Sequence, residues 1–472
     1  MEVSEKNTKP TVAIAGATGF IGRWFIETFK HKYNFIAISR RNLENEPDSH
    51  VEWRQADLYS MSSTRAAVIG ADYAIYLVHS MMPSTRLNQS NFEDTDLILA
   101  DNFARACDRA KVRQIIYIGG ILPSDDPDEL SPHLRSRYEV EQTLGARQTP
   151  LTTIRAGIIV GPGGSSFQVI EKLVQRLPVM GCPSWAQTAT EPISLRNMLQ
   201  IMDHVMGEED FFDEALEVGG EEVMSYQEML ATTAKMMGKK RLIFPMPVLS
   251  IGFSKLWVSL FSDSNMSFIS PLVESLRHEM VADTHPKLDK LDVNYLSFEE
   301  SVRDALENRH EFPKLPAKIP TPPSEEKERN TVRSVQRLSN PLSRSATWVA
   351  KRYTHWLPSF FRSLIRVRVD EDENCSFHIL NSAPILKLTF VEERSDEDRQ
   401  LFFITGGLLD KRTDHGWLEF REVLNKRYVL AAIHEFVPAL PWYIYVSTQA
   451  LMHLWVMNSF NRHLRKMGES RG

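Results

Sequence analysis

A glycine-rich turn near the start of the chain constrains its fold more than any other feature. Glycine recurs at every third position, at Gly16, Gly19 and Gly22, directly after the apolar run Val12–Ala15. Counting from Ile21, apolar side chains recur at i, i+3, i+4 and i+8, which is the pattern of an amphipathic helix. A strand, a glycine turn and a helix in this order are typical of a dinucleotide-binding βα unit.

The chemistry of such a turn explains the pattern. Glycines permit a tight turn and a close approach of the backbone to a pyrophosphate, and the helix N-terminus presents free N–H groups and the positive end of the helix dipole. We therefore predict that this loop binds a dinucleotide. The predicted contacts are Gly16, Thr18, Gly19, Phe20, Ile21 and Gly22.

The end of the second predicted strand indicates which dinucleotide is bound. Sites selective for NAD usually carry an acidic residue there, which binds the ribose 2′-hydroxyl. This chain has Ser39, Arg40 and Arg41 instead, and two guanidinium groups suit a 2′-phosphate. We predict NADP(H) rather than NAD(H) as the cofactor. The alternative is a solvated pair of arginines at a strand end.

Further cofactor contacts are expected where later strands end. Asp57 and Leu58 follow the third predicted strand and are placed to contact the adenine, with a plain strand cap as the alternative role of Asp57. Leu77 and Val78 end the fourth strand, and Gly119 ends the fifth. These residues complete the predicted cofactor site.

Apolar runs alternate with amphipathic stretches through the first third of the chain. This alternation predicts an α/β fold, namely a Rossmann-type doubly wound parallel sheet with helices on both faces. The mixed region 161–311 is predicted to be a substrate lobe of the same domain, which then spans residues 1–311. The predicted strands are Val12–Ala15, Phe35–Ile38, Val51–Trp53, Ala74–Val78, Ile115–Ile118 and Leu151–Ile154.

Composition excludes several classes of partner. The 55 basic and 61 acidic residues give a net charge of −6, which argues against a nucleic-acid partner. The three cysteines, Cys107, Cys182 and Cys375, are widely spaced and suit buried positions in a reducing compartment, so we expect a cytoplasmic protein. No histidine or cysteine spacing indicates a metal site.

Membrane association is a minor alternative. The polar segment Met1–Lys9 lacks the apolar core of a signal peptide, and no run of about twenty apolar residues could span a bilayer. Trp442, Tyr443, Tyr445 and Trp455 would suit a membrane surface, so a peripheral contact stands beside the interpretation as a buried core segment. The oligomeric state is not indicated.

Five prolines between residues 313 and 323 mark a boundary between domains. A charged, serine-rich stretch follows them, and this composition predicts an extended linker over residues 312–345. Residues 346–472 then form a separate α+β domain with a first helix, several strands and a long final helix.

Residues 11–311 resemble the atypical and extended short-chain dehydrogenase/reductase superfamily. They resemble most closely its NmrA-like NAD(P)-binding members that carry a C-terminal domain of unknown function. That resemblance implies a helix-grip-like fold for residues 346–472, with an antiparallel sheet around the final helix. The segments that carry it in the first domain are Tyr76–Met81, Ile115–Gly120, Leu130–Arg137, Ile154–Gly157 and Gly161–Gly163.

The catalytic residues are where this sequence departs from the superfamily, which uses a serine and a Tyr-x-x-x-Lys pair. The serine position falls at Gly119 or Gly120, the tyrosine position at His133 and the lysine position at Arg137. A second register offers Tyr138 as the tyrosine, but Gln142 instead of lysine stands four residues later.

Two functions follow from this departure. In the first, His133 is the general acid, Arg137 holds the nicotinamide ribose, and His79 is a second polar group beside the nicotinamide of an oxidoreductase. In the second, the chain binds the nucleotide without transferring hydride, as a redox sensor or an assembly factor.

Two further sets of residues leave alternatives open. Apolar side chains of the lobe would favour a hydrophobic carbonyl or quinone-like substrate if they line the site, and ordinary core packing is the alternative. The candidates are Ile158, Ile159, Phe167, Val179, Met180 and Trp185. In the second domain, Glu419, Arg421, His434 and Glu435 form either a polar cluster or a solvated face.

Overall fold

The computed structural model divides into two compact units. The first comprises Met1–Met82 and Leu99–Pro320, and the second comprises Pro83–Ile98 and Thr321–Gly472. The residues described are 9–47, 49–79, 90–124, 126–246, 275–283, 285–320, 332–361, 365–379, 382–408, 416–438 and 448–469.

Strands and helices alternate along residues 9–320. The strands are β1 (Thr11–Ala15), β2 (Asn34–Ser39), β3 (Val51–Gln55), β4 (Tyr73–Tyr76), β5 (Gln114–Gly120), β6 (Leu151–Ala156), β7 (Ile159–Val160), β8 (Val179–Cys182), β9 (Ala189–Thr190), β10 (Ile193–Ser194), β11 (Ala215–Val218), β12 (Met224–Ser225) and β13 (Leu242–Pro245). The helices are α1 (Phe20–Phe29), α2 (Met61–Val68), α3 (Phe92–Ala110), α4 (Pro132–Leu144), α5 (Ser165–Arg176), α6 (Leu195–Val205), α7 (Tyr226–Met236) and α8 (Phe298–Glu307).

The main sheet of the first unit is parallel. Its described strands follow the order β11-β6-β5-β4-β1-β2-β3, and every pair in it is parallel. The chain moves outward from β1 to β3 on one side and then crosses to continue from β4 on the other. Because β1 and β4 are buried almost completely, apolar residues fill them. The predicted α/β Rossmann-type fold is confirmed.

The region 161–311, predicted to be a substrate lobe, does not pack around one core. Strand β11 joins the main sheet beside β6, and the apolar face of α6 belongs to the same core as β1. Helices α5, α7 and α8 pack around a separate core. The helices of this separate core therefore come from two segments of the chain, one before and one after the residues that join the main sheet.

The predicted linker over 312–345 is wrong at both ends. Its first residues pack on the first unit, where Lys318 forms an antiparallel bridge with Leu43. Its last residues form β14 (Val332–Ser339), an edge strand of the second sheet. This strand does not show the alternation expected of a half-buried strand, because its buried apolar residues Val332, Val335 and Leu338 are three apart. A bulge between Val332 and Ser334 adds to the irregularity.

The second unit is built on an antiparallel sheet with strand order β14-β20-β19-β18-β17-β16-β15. Helices α9 and α10 share one hydrophobic core with its strands, which confirms the predicted α+β, helix-grip-like architecture. The remaining elements are β15 (Ile365–Val369), β16 (Cys375–Ile379), β17 (Pro384–Phe390), β18 (Arg399–Gly406), β19 (Gly416–Val423), β20 (Tyr428–Phe436), α9 (Ala346–Phe360) and α10 (Gln449–Glu469).

The structure also bears on the cysteines, on membrane-spanning helices and on the aromatic residues near the C-terminus. All three cysteines are buried free thiols, as predicted. Among the described residues, no helix is long and apolar enough to cross a membrane. Of the four aromatic residues near the C-terminus, Trp455 is exposed, whereas Trp442, Tyr443 and Tyr445 lie outside the described residues.

Candidate functional site

The glycine turn packs so tightly that side chains would not fit in it. A Cβ atom at Gly22 would lie 2.7 Å from the carbonyl oxygen of Gly16 and 2.9 Å from the Cα of Ala17. Gly16 has φ of 92° and faces the backbone of Leu77, which would lie 3.1 Å from its Cβ. The spacing of the glycines therefore reflects the contact between strand, turn and helix.

The first turn of α1 has the properties of an anion site. Gly19 is its N-cap in extended conformation and supplies no side-chain cap, and no acidic residue occupies the first turn. The backbone N–H groups of Phe20 and Ile21 are thus at the positive end of the helix with no capping side chain in front of them. Thr18 precedes the cap within the same loop.

This turn lies where the strand order reverses. Strand β1 pairs with β2 on one side and with β4 on the other. The chain leaves β1 and β4 at their carboxyl ends, on the same side of the sheet. Open α/β sheets bind ligands in the crevice at this point. Gly16 after β1 and Leu77 after β4 form its floor, and Val78 and His79 follow on the β4 side.

Beyond β2, the predicted arginines are in the open. Ser39 is buried, and its hydroxyl accepts a hydrogen bond from the backbone N–H of Arg41 at 2.9 Å. Arg40 and Arg41 are exposed, and no described acidic side chain pairs with either guanidinium. The arrangement leaves both charges available to a ligand at the end of β2.

The residues after β3 have local structural roles. One carboxylate oxygen of Asp57 accepts a hydrogen bond from the N–H of Tyr59 at 3.2 Å, as expected of a strand cap. Leu58 is buried, and its carbonyl accepts a hydrogen bond from the Asn102 amide at 2.8 Å. Their contact with adenine remains a prediction.

Sequence reasoning missed Arg23, one turn into α1. Its Nη1 donates to the carbonyl of Pro313 at 2.8 Å, and its guanidinium carbon lies 3.7 Å from the ring centroid of Phe312. Burial and the nearby charge of Arg41 lower the pKa of Arg23. The available signal was the position of Arg23 directly after the third glycine.

The three predicted catalytic residues come together on the other side of the crevice. His79 follows β4, and its Nε2 lies 3.3 Å from Nδ1 of His133 in the first turn of α4. Ser131 caps this helix and Pro132 is its first residue, so the helix start fixes His133. One turn on, Nη1 of Arg137 donates to the carbonyl of Ile118 in β5 at 3.4 Å.

The surroundings of His133 determine the charge state of its ring. Burial, His79 and Arg137 hold the pKa of His133 well below its usual value of 6.5. The ring is therefore neutral at neutral pH and suits accepting a proton better than donating one. Since Nδ1 faces His79, Nε2 is the ring atom left for a ligand.

The second register of the catalytic pair points elsewhere. Tyr138 packs against a small apolar cluster that includes Ile121 and Leu134. Gly119 is the second-to-last residue of β5, and its Cβ would lie 3.3 Å from Thr153. The structure thus brings His133, and not Tyr138, to the carboxyl end of β4.

Sequence reasoning also missed an ion-pair network at the end of β6. Arg155 donates two hydrogen bonds to the carboxylate of Glu141, at 2.7 and 3.0 Å, and lies 3.6 Å from Glu217. Glu217 accepts N–H bonds from Leu122 and Asp283. These bonds hold the segment after β5 and the segment 282–283 at the same edge of the sheet.

The predicted apolar lining is largely core. Phe167 and Met180 are buried in the core of the lobe, whereas Val179 is 53% exposed. Ile158 and Trp185 are partly buried against that core, and Ile159 packs against the core of the main sheet. Core packing, the alternative left open by the sequence, describes Phe167 and Met180.

The polar residues of the second unit form a cluster rather than a solvated face. Glu419, Arg421 and His434 are 0%, 1% and 2% exposed. The carboxylate of Glu419 contacts Arg421 at 2.7 Å, His434 at 3.1 Å and Arg399 at 2.8 Å. Burial raises the pKa of Glu419, but the two guanidinium groups and His434 outweigh burial and hold it well below 4.5. Glu435 is only partly buried and has φ of 50°.

Within the described parts of the chain, no group of three His, Cys, Asp or Glu side chains could hold a metal ion. His415 lies outside the described residues.

Comparison with known proteins gives one curated relative and several solved structures. The auxiliary protein GraX of Staphylococcus aureus is 32% identical over 148 residues, which are 31% of this chain and 43% of the relative. The chain therefore matches less than half of that relative's length.

The solved structures are more distant. Triphenylmethane reductase from Citrobacter sp. is 18% identical, covering 63% of this chain and 99% of its own, with a TM-score of 0.49. A nucleoside-diphosphate-sugar epimerase from Staphylococcus aureus is 15% identical, covering 62% and 99%, with a TM-score of 0.49. Such values leave substrate and reaction unassigned.

The sequence family that matches is the one described as NAD(P)H-binding, over residues 16–176. That range begins at the first glycine of the turn and includes both histidines of the pair. This part of the chain is an NAD(P)-binding Rossmann domain.

Proposed function

We propose that the chain is an NADP(H)-dependent oxidoreductase that acts on a hydrophobic carbonyl or quinone-like substrate. The observation that carries the proposal is the hydrogen-bonded pair His79–His133, which lies at the carboxyl end of β4, across the crevice from the glycine turn. A titratable pair beside a dinucleotide site is what proton transfer coupled to hydride transfer requires.

The residues present fit the cofactor. The close packing at Gly16 and Gly22 keeps side chains out of the turn, and the first turn of α1 has no capping side chain or acid. Arg40 and Arg41 have no described acidic partner at the end of β2, where a 2′-phosphate would be recognised. The two arginines support NADP(H) over NAD(H).

When bound, the nicotinamide nucleotide supplies or accepts the hydride. The chain's own residues handle the proton. His79 orients the His133 ring through Nδ1, which leaves Nε2 to hold a proton at the substrate oxygen. Arg137 is tethered to β5 and is placed to hold the ribose or the substrate oxygen.

The low pKa of His133 sets the expected pH dependence. Neutral His133 accepts a proton from a hydroxyl at neutral pH, whereas donation to a carbonyl needs the protonated ring. Reduction of a carbonyl is therefore expected to accelerate as the pH falls from neutral, and to keep accelerating to well below the usual histidine pKa of 6.5.

The test is NADPH oxidation over a panel of quinones and aldehydes. His133→Ala is expected to lower kcat by about 100-fold while leaving the Kd for NADPH within about twofold. The matched control is His204→Ala, an exposed histidine of α6, and Gly19→Asp is the variant without cofactor binding. Unchanged turnover in His133→Ala contradicts the assignment.

A second candidate is a nucleotide-binding redox sensor or assembly factor without hydride transfer. The match to a protein named auxiliary, over part of its length, favours this candidate. Tight NADPH binding with no oxidation by any member of the panel would support it over the oxidoreductase.

Two further features remain part of the proposal. Buried free thiols suit the reducing environment of the cytoplasm. The second unit is proposed to be the C-terminal domain of unknown function that accompanies NmrA-like proteins.

A further inference from the structure

The segment Phe312–Ile319, called the strap below, runs along the loop that follows β2. The N–H of Glu44 donates to the carbonyl of Ala317 at 3.0 Å, and the N–H of Ile319 donates to the carbonyl of Asn42 at 2.9 Å. These bonds flank the antiparallel bridge between Leu43 and Lys318. The strap thus fixes the backbone directly after Arg41.

The start of the strap fixes Arg23. Pro313 accepts a hydrogen bond from Nη1 of Arg23, and the ring of Phe312 lies against the face of the guanidinium. Phe312 is itself held between Trp24, at 6.3 Å between ring centroids, and Gly163, where a Cβ would lie 3.0 Å from the ring. The guanidinium is therefore held on two sides.

The charge of Arg23 is not balanced by an acid. Its Nε is buried and has no hydrogen-bond partner, and no described carboxylate contacts the guanidinium. The positive charge of Arg41 also acts on Arg23 and, after burial, contributes to lowering its pKa. A buried N–H is rarely left without an acceptor, and two adjacent cations without an acid favour an anion between them.

We infer that Arg23, held by the strap, is a specificity-determining residue that completes the 2′-phosphate site with Arg40 and Arg41. This inference rests on the proposed function and deepens it, because it assigns the 2′-phosphate to a named third guanidinium. The strap acts as a positioning element that holds Arg23 and the loop after Arg41 in one arrangement.

The test compares ligands that differ only in the 2′-phosphate. NADPH and NADH, and then 2′,5′-ADP and AMP, are titrated calorimetrically into the full chain and into Arg23→Met. The variant is expected to weaken NADPH and 2′,5′-ADP by about tenfold or more, and NADH and AMP by less than about twofold. Arg196→Met, which removes an exposed arginine of α6, is the matched control.

A structural role for Arg23 would give a different result. If Arg23 only held the strap in place, its loss would weaken the binding of all four ligands equally and lower the melting temperature. An unchanged ratio of NADPH to NADH affinity therefore overturns the inference. If Arg40→Ala lowers this ratio and Arg23→Met does not, the inference fails while NADP(H) selectivity stands. If the unmodified chain binds neither dinucleotide, the proposed function itself fails.

The strap can be tested separately at Phe312. Phe312→Leu keeps an apolar side chain but removes the ring face under the guanidinium. It is expected to lower the ratio of NADPH affinity to NADH affinity about threefold. Phe312→Tyr retains the ring face and is expected to preserve the ratio. Equal ratios in the two variants would show that the strap does not position Arg23.

Discussion

The central strands of the parallel sheet and strand β19 of the antiparallel sheet differ in where their charged residues lie. In the parallel sheet, β1 and β4 carry no charged residue, and Arg40, Arg41 and His79 come after strands end. In the antiparallel sheet, Glu419 and Arg421 lie within β19 and are buried. In a sheet covered on both faces by helices, a polar site fits at the carboxyl ends of the strands. A buried ion network inside a strand, by contrast, must supply the partners for its own charges and hydrogen bonds.

The largest expected effect tests the charged network of the second sheet. Glu419→Gln removes the carboxylate that joins Arg399, Arg421 and His434, and it is expected to lower the free energy of unfolding by about 3–5 kcal/mol. Denaturant unfolding measures the change. Glu373→Gln, which breaks the largely exposed pair with Lys351, should cost less than about 1 kcal/mol. Equal effects would mean that burial does not distinguish the two.

The next effect tests the edge site of the parallel sheet. Alanine is favoured over glycine in a helix by about 1 kcal/mol, but a Cβ at Gly22 would meet Gly16 at 2.7 Å. Gly22→Ala is therefore expected to weaken NADPH binding by about tenfold or more, despite its better helix propensity. At Gly145, the C-cap of α4, a Cβ would come no closer to any atom than 3.3 Å, at the tip of Leu151, so Gly145→Ala should keep the affinity within about twofold.

The smallest effect concerns a buried histidine of the second unit. Burial lowers the pKa of His453 from 6.5 to about 4. The unfolded chain therefore binds a proton at this residue more readily than the folded chain does, and stability falls as the pH drops from about 6.5 towards 4. His453→Phe should gain in melting temperature over the unmodified chain across this window. The exposed His355→Phe should show no such gain, and parallel pH profiles for the two variants would contradict the assignment.

The same contrast explains what could be predicted from the sequence. The glycine turn and the parallel sheet follow from local patterns of glycines and buried strands. The sequence also indicated His79 and His133 as residues of one site, but it did not indicate their contact with each other. In the second sheet the elements between Ile365 and Phe436 were predictable from short apolar runs. The burial of Glu419 was not, because strand alternation is the same for a solvated face and a buried one.

Two errors have physical causes. Strand β14 falls within the predicted linker because its buried apolar residues do not alternate and because serine and arginine make up half of its residues. Arg23 was missed because its role depends on Phe312 and Pro313, almost 300 residues away, and no local pattern contains that contact.

The central claim is that the first unit binds NADP(H) at the glycine turn and the arginines after β2. Native mass spectrometry of the gently purified full chain, followed by titration with NADPH and NADH, tests it most directly. The expected result is one NADP(H) per chain, with NADPH bound at least about tenfold more tightly than NADH. A chain that retains no nucleotide and binds neither on titration would contradict it.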